Sequence, residues 1–367
     1  MDADESHTPA PTEHAESSQP RARRRHPVLW GLLACVVALA LIIGGAGFYL
    51  QQRLSSQVTR IPDSFAGLSD RPSRADGAAG RAVNILLMGS DKRDDAADHT
   101  DAEDSADAES SWAPGLQRSD TLMVLHVAAD RRSASIISIP RDSWVDVPGY
   151  GKNKINAAFS LAGPSLAVET VEKLTNVRID HLAIIDWDGF RSLTDALGGV
   201  EVTIPETTVD TIRDKTWQAG TRRLDGEEAL LYVRQRYGLT GGDFDRVKRQ
   251  QNFLRSAMQE TLSDGTLRSP RKIYGVLDAI TSNLSVDSGW STGDMRGLAL
   301  SLRNLRSSDV TFATVPVEGT GMEGAQSVVY LNEDQGKGLW GAVLEDRATE
   351  WLAANPEGNL PGSSDVS

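Results

Sequence analysis

The feature that most limits how this chain can fold is a long uncharged run near the N-terminus. The 23 residues from Val28 to Leu50 contain no charged side chain. At about 1.5 Å per residue, a helix of this length crosses a hydrocarbon core of about 30 Å. The run also exceeds the apolar core of a cleaved signal peptide, which is about 7–15 residues long. We therefore predict a retained transmembrane helix at residues 28–50, and the length and uniformity of the run disfavour the alternative of a buried core helix.

Charges on either side of this run predict its orientation. Four arginines at positions 21, 23, 24 and 25 precede it, and only Arg53 follows closely. Positively charged flanks stay on the cytoplasmic side of a membrane. We therefore predict a single-pass cell-membrane protein with a cytoplasmic N-terminus and an extracytoplasmic folded domain.

Composition along the chain predicts where the folded domain begins and ends. Residues 1–27 are typical of a disordered cytoplasmic tail with a basic end, and residues 51–81 of a linker. The predicted domain covers residues 82–345, and residues 346–367 should hold the end of the last helix and a frayed tail. Within the domain, residues 94–117 contain eight carboxylates in a low-complexity segment. We interpret this segment as an acidic surface loop, because nothing in it fixes the carboxylates in a metal-binding geometry.

The charge balance and the motif content exclude several classes of function. Asp and Glu total 51 against 38 Lys and Arg, giving a formal charge of −13, which opposes a nucleic-acid-binding domain. The single cysteine, Cys35, cannot form an internal disulfide. The sequence has no HExxH or paired Cys/His motif of a zinc site, no GxxxxGK(S/T) phosphate loop and no GxSxG nucleophile elbow.

Hydrophobic periodicity predicts a domain in which strands and helices alternate. The predicted elements are strands at Val83–Met88, Thr121–Ala128, Ser135–Ile139, His181–Trp187 and Val200–Ile204, with helices at Ser165–Asn176 and Gly189–Leu197. A short helix capped by Asp225 follows. Later helices are predicted to begin at Pro270, Thr292 and Glu333. This alternation favours an α/β domain with helices packed on a sheet.

An arginine-rich stretch at residues 230–251 is a local exception in this acidic chain. Arg234 and Arg236 are two residues apart, so in an extended segment both would point the same way. Asp243 is predicted to cap the following helix, on which Arg246 and Gln250 share one face. Guanidinium groups beside a helix N-terminus form a good site for a phosphorylated ligand. The alternative interpretation is a solvated basic helix face.

Charged residues also flank the first three strands of the predicted sheet. Asp91 follows the first strand and Arg141 the third, while Arg118 and Asp120 precede the second. If these residues converge with the arginine-rich stretch, the arginines would neutralise a diphosphate. Two or three carboxylates would then hold a Mg²⁺ that bridges its oxygens. Taken singly, any one of these aspartates is better explained by a surface salt bridge.

Six motifs, in this order, resemble the LytR-CpsA-Psr family of bacterial envelope proteins. They are Val83–Asp91, Arg118–Thr121, Ser138–Asp142, Gly151–Asn156, an aromatic and Gly-Gly pattern from Asp186 to Val202, and Leu224–Gln251. The resemblance implies an α/β fold with a mixed central sheet and helices packed on both faces, preceded by one transmembrane helix.

The resemblance also implies a phosphotransferase. Such an enzyme takes a glycopolymer from a polyprenyl-diphosphate carrier and joins it to peptidoglycan through a phosphodiester, at the membrane and without nucleic acid. Asp91, Arg118 and Asp120 would be catalytic. Asp91 and Asp120 would bind Mg²⁺, with Asp243 as a further candidate ligand. The residues that would bind the diphosphate are Arg141, Arg234, Arg236, Arg246 and Gln250.

Three other functions compete with this one. A diphosphate hydrolase would use the same residues with water as the nucleophile. A non-catalytic lipid-glycan binding protein would keep the arginines and dispense with the acids. A transcription regulator would need a basic cytoplasmic domain, which the predicted topology and the net charge both oppose.

Overall fold

The computed structural model describes residues 58–62, 64–68, 70–92, 117–263, 269–362 and 366. The predicted tail at 1–27, the predicted transmembrane helix at 28–50 and residues 93–116, which include most of the predicted acidic loop, lie outside these ranges. Within the described ranges, no helix combines the length and the apolar content needed to cross a membrane.

Along the described chain the strands mostly follow one another in runs, and single strands and helices alternate over residues 155–204. In chain order the strands are β1 Thr59–Ile61, β2 Val83–Lys92, β3 Gln117–Val127, β4 Ala134–Ile139, β5 Trp144–Val147, β6 Gly151–Lys154, β7 His181–Asp186, β8 Val200–Ile204, β9 Thr208–Asp210, β10 Lys215–Trp217, β11 Gly220–Leu224, β12 Leu284–Asp287, β13 Val310–Thr314, β14 Val317–Glu323 and β15 Gln326–Leu331. The helices are α1 Ile155–Thr175, α2 Trp187–Leu197, α3 Gly226–Arg234, α4 Asp243–Thr261, α5 Pro270–Asn283, α6 Thr292–Ser301, α7 Glu333–Leu344 and α8 Ala348–Ala354.

The central sheet of the described chain has seven strands in the order β1-β12-β7-β2-β3-β4-β13. Strand β2 pairs antiparallel with β3 and parallel with β7. Strand β4 pairs antiparallel with β3 and parallel with β13. The sheet is therefore mixed, as predicted. The described chain also forms four two-stranded ribbons: β5 with β6, β8 with β11, β9 with β10, and β14 with β15.

Neighbouring residues of β2 pack on opposite faces of this sheet. Leu86 belongs to a core shared with α1, α7 and α8, whereas Ile85 packs in a second core that Met295 of α6 also touches. On that second face, Met258 of α4 packs against a cluster that contains Met123 of β3. Side chains alternate across a strand, so a strand covered on both faces is apolar throughout. The predicted helices on both faces are confirmed.

A smaller core lies where the arginine-rich stretch folds. Tyr232 of α3, Phe253 of α4 and Leu197 of α2 are buried together against β8 and β11. Helix α3 begins as predicted, because the side chain of Asp225 accepts a hydrogen bond from the backbone N–H of Glu228. This satisfies an N–H that the helix itself leaves without a partner. The small core thus fixes the positions of α3 and α4, the two helices of the arginine-rich stretch.

The structure corrects the predicted start of the folded domain. Strand β1 lies inside the predicted linker at 51–81 and pairs in parallel with β12 of the central sheet. In the same segment, Arg71 forms a 2.7 Å ion pair with the buried Glu172 of α1. A strand of three residues is too short to show a period of two, and its partner lies far along the chain. Sequence periodicity could not detect it.

The structure also corrects the predicted end of the domain at residue 345. The predicted last helix is two helices, α7 and α8, separated at Asp346, whose φ of 58° is left-handed. Leu352 of α8 is buried in the main core. Further on, the backbone N–H of Leu360 donates to the carbonyl oxygen of Phe312 in β13 at 2.8 Å. The predicted tail at 346–367 is therefore packed on the sheet as far as Leu360.

Candidate functional site

The arginine-rich stretch surrounds a cavity of about 230 Å³. Pockets that hold drug-sized ligands measure about 300–1,000 Å³, so this cavity fits a small polar group better than a whole lipid-linked glycan. The residues that were predicted to bind a diphosphate all line it: Arg141, Arg234, Arg236, Arg246 and Gln250. The structure adds Trp187, Ile212, Arg213 and Tyr237 to the lining.

Three separate segments bring these residues together. Arg141 follows the end of β4, Arg234 ends α3, and Arg246 lies in the first turns of α4. The condition of an extended segment is not met at Arg234, because this residue is the last of a helix. Arg234 and Arg236 reach one cavity because the chain leaves the helix at Gln235, whose φ and ψ are −62° and 133°. The alternation of side chains along a strand does not explain why Arg234 and Arg236 reach the same cavity.

Asp243 lies among three of these arginines. Its Oδ1 is 2.8 Å from Nη2 of Arg246, 3.4 Å from Nε of Arg236 and 3.9 Å from Nε of Arg141. It is the first residue of α4, and the cap position is taken by Gly242 with a φ of 54°. The prediction of Asp243 as the N-cap is therefore wrong. The carboxylate instead lies within ion-pair distance of arginines from three segments, so its charge offsets their mutual repulsion before any ligand arrives.

This arrangement argues against Asp243 as a metal ligand. A divalent cation on Oδ1 would have to approach three guanidinium groups that already lie within 4.0 Å of it, and like charges at this distance repel strongly in a partly buried site. Among the side chains that the structure describes, no three His, Cys, Asp or Glu residues converge as a metal site. The side chains of Asp91 and Asp120 are outside that description.

Trp187 is a cavity residue that the sequence did not single out. The guanidinium carbon of Arg234 lies 5.1 Å from the centre of its ring, a cation–π contact that holds the arginine in place. The Nε1–H of Trp187 is buried and has no acceptor among the described residues. A buried indole N–H normally finds a partner, so this group is an exception among the described residues.

Gln250 connects the cavity to the central sheet. The side-chain hydroxyl of Thr121 on β3 donates to Oε1 of Gln250 at 3.2 Å. Thr121 is the residue after Asp120, and it pairs with Gly89, while Ser119 pairs with Ser90. Asp120 therefore has no residue opposite it, which is the mark of a β-bulge.

The bulge places three predicted catalytic residues close together along the backbone. Asp91 pairs with Arg118 on the neighbouring strand, two residues from Asp120. Only the backbone of these three residues is described. Bulges are frequent beside active sites because the extra residue changes the direction of a side chain. The sequence could not reveal this bulge, because the register between β2 and β3 determines which residue of β3 has no partner.

Arg249 links two segments of the chain, one of which carries the cavity residues Arg234 and Arg236. It is fully buried, and it donates from Nη1 to Oε1 of Gln235 at 2.7 Å and from Nη2 to Oγ1 of Thr208 at 2.9 Å. Its guanidinium carbon also lies 4.6 Å from the ring centre of Tyr232. Burial lowers the pKa of Arg249 and raises the pKa of Tyr232 from their ordinary values. The arginine thus ties β9 to the segment between Arg234 and Arg236.

Known proteins are similar to this chain in sequence and in fold. The model of the LytR_cpsA_psr family matches residues 52–341. The cell wall biosynthesis protein LcpA of Corynebacterium glutamicum is 34% identical over 340 residues, which cover 84% of this chain and 64% of LcpA. This chain thus spans less than two thirds of the length of LcpA. The polyisoprenyl-teichoic acid–peptidoglycan teichoic acid transferase TagU of Oceanobacillus iheyensis is 29% identical over 317 residues, or 83% of this chain and 89% of TagU.

A solved structure supports the same relationship at the level of the fold. The LytR-Csp2A-Psr enzyme from Actinomyces oris superposes with a TM-score of 0.59 at 20% identity, over 78% of this chain and 96% of that chain. The family model covers most of the described chain, from before β1 into α7. On the strength of that match, this protein belongs to the LytR-CpsA-Psr family.

Proposed function

We propose that the protein transfers a glycopolymer from a polyprenyl-diphosphate carrier to peptidoglycan, forming a phosphodiester link during cell wall assembly. One observation carries the proposal: the arginines and the glutamine that the sequence assigned to a diphosphate line a single small cavity. The relative TagU is named as a transferase of polyisoprenyl-linked teichoic acid to peptidoglycan, which is the same class of reaction.

The arginines have a defined task in this reaction. Guanidinium groups bind phosphate oxygens with two parallel hydrogen bonds, and three of these arginines already lie within ion-pair distance of Asp243. Transfer at phosphorus needs mainly positioning and neutralisation of charge. The energy comes from the diphosphate bond, so no nucleotide site is required.

The chemical step exchanges one bond at phosphorus for another. A hydroxyl of peptidoglycan attacks the phosphorus that bears the glycan, and the bond between this phosphorus and the bridging oxygen of the diphosphate breaks. Polyprenyl monophosphate leaves with the bridging oxygen. Asp91 or Asp120 accepts the proton of the hydroxyl. Arg118 supports the developing charge from the strand position that pairs with Asp91.

Mg²⁺ is part of the proposal through Asp91 and Asp120. Carboxylates are the protein ligands that Mg²⁺ prefers, and the two aspartates lie on paired strands within a few residues of each other. When bound, the ion would supply positive charge to the oxygens of the diphosphate. The three arginines around Asp243 leave this residue out of the ligand set.

The test separates binding of the lipid from transfer of the glycan. Replacing Arg234 or Arg236 by alanine removes a charge-assisted contact worth roughly 1.5–3 kcal/mol. Affinity for a labelled polyprenyl-diphosphate glycan should therefore fall about ten- to a hundred-fold. Arg132→Ala, at an exposed position in the turn after β3, should leave affinity unchanged. Joined product on peptidoglycan, measured beside phosphate release, distinguishes transferase from hydrolase. Wild-type affinity in both cavity variants would contradict the site.

We also propose that the folded domain is extracytoplasmic, on the basis of the charges around residues 28–50. In a Cys35→Ser background, Ser308→Cys introduces a single thiol at an exposed position. A membrane-impermeant thiol reagent should label it on intact, wall-permeable cells. Ser17→Cys, in the predicted tail, should react only after lysis. The opposite pattern would reverse the topology.

A further inference from the structure

Two exposed apolar side chains lie at the arginine cavity. Ile212 is 66% exposed and Tyr237 is 56% exposed, and both line the cavity with the arginines. Single exposed apolar residues are ordinary on protein surfaces. An aliphatic and an aromatic side chain at one charged opening form a feature that we call the apolar rim.

The turn that presents Ile212 is held in a fixed shape. It joins β9 to β10, and the buried Asp210 accepts hydrogen bonds from the backbone N–H groups of Ile212 and Arg213 at 3.1 and 3.3 Å. The side chain of Arg213 donates to the same carboxylate at 2.9 Å. These bonds fix the backbone of the turn, and in this backbone conformation the side chain of Ile212 is exposed.

Hydrogen bonds connect the segment of Tyr237 to the strand that precedes the turn of Ile212. Nε2 of Gln235 donates to the carbonyl oxygen of Tyr237 at 2.8 Å, and Oε1 of Gln235 accepts from the buried Arg249. The same Arg249 donates to Thr208 at the start of β9. One buried arginine thus holds both sides of the rim at a fixed spacing.

We propose that the apolar rim docks on the surface of the membrane, so that the arginine cavity opens at the level of the lipid phosphates. The proposal rests on the proposed function, because a polyprenyl-diphosphate carrier presents its diphosphate at that level. Aromatic side chains settle among lipid headgroups, aliphatic ones reach the acyl boundary, and arginines extend to phosphates. The rim and the cavity combine all three. Asp214 shares the turn with Ile212, which limits the contact to the headgroup boundary.

A depth measurement tests the docking without using activity. In a Cys35→Ser background, Ile212→Cys receives an environment-sensitive fluorophore, and the full chain is reconstituted in phosphatidylglycerol vesicles that contain brominated lipid. The matched control is Leu300→Cys on α6, where the native side chain is 52% exposed. We expect the probe at 212 to be quenched several-fold more than the probe at 300. Equal quenching overturns the proposal. A probe at 212 that responds to protein concentration but not to brominated lipid would assign the rim to a second copy of the chain and also overturn it.

An activity ratio separates this proposal from the proposed function. The variant Ile212→Ser should lower the ratio of transfer from a long-chain carrier in vesicles to transfer from a short-chain, water-soluble analogue by about ten-fold, because burial of one large aliphatic side chain is lost. Leu300→Ser should leave the ratio unchanged. An unchanged ratio in Ile212→Ser contradicts docking. If the wild-type protein transfers neither substrate, the proposed function fails, while the quenching result still decides whether the rim meets the membrane.

Discussion

Replacing Asp120 by asparagine is expected to lower the rate of glycopolymer transfer about a hundred- to a thousand-fold while the carrier lipid still binds. The amide keeps the shape of the side chain and removes the negative charge that the proposed roles require, as proton acceptor and as Mg²⁺ ligand. The backbone places Asp120 close to the cavity. It is the extra residue of the bulge between β2 and β3, next to Thr121, which bonds to Gln250 in the cavity. The remaining activity should also lose its response to added Mg²⁺.

The measurement scores bound lipid and joined product in the same reaction. Asp130→Asn is the matched control, since it makes the same chemical change at an exposed position in the turn after β3 and should transfer at the wild-type rate. Loss of lipid binding in Asp120→Asn would mean that the residue acts on the carrier and not on the chemistry. A wild-type rate would remove Asp120 from the catalytic set.

Replacing Gly238 by alanine is expected to lower the free energy of unfolding by about 2–5 kcal/mol, from a left-handed backbone and from overpacking together. Gly238 has a φ of 77°, and a Cβ there would overlap the carbonyl oxygen of Val209 on β9. Backbone atoms cannot move aside as a flexible side chain can, so β9 or the segment around Tyr237 must shift. Because Arg236 belongs to that segment, affinity for the diphosphate should fall as well.

Gly149 provides a control in which an added Cβ changes stability through the backbone conformation alone. Its φ is also 77°, but a Cβ at this position would meet nothing within 4 Å. Gly149→Ala should therefore cost only the left-handed conformation, about 1–2 kcal/mol, with unchanged affinity for the carrier lipid. Chemical denaturation of both variants, with lipid binding measured in parallel, checks the difference. Equal losses of stability would show that β9 and the cavity segment are not packed as tightly as the structure has them.

Much of the fold could be predicted from local sequence patterns. The apolar strands β2, β3 and β4 were recognisable because both faces of the central sheet are covered, which requires apolar residues throughout. Asp225 was recognisable as a cap because the helix N-terminus needs an acceptor within three residues. The two ends of the folded domain were harder to predict from the sequence. Strand β1 and the segment up to Leu360 are held by partners distant in the chain, and no local pattern reports those partners.

The sequence by itself determined which residue types were available for a phosphorylated ligand: arginines at fixed spacings in an acidic chain, from Arg141 to Gln250. Only the tertiary structure decided how they meet. Arg234 is the last residue of α3, Asp243 lies among three arginines, and Trp187 and Ile212 come to the same cavity from other elements. The physical reason is that local propensity depends on neighbours within a few residues. The cavity depends on contacts between segments that only the packed cores bring together.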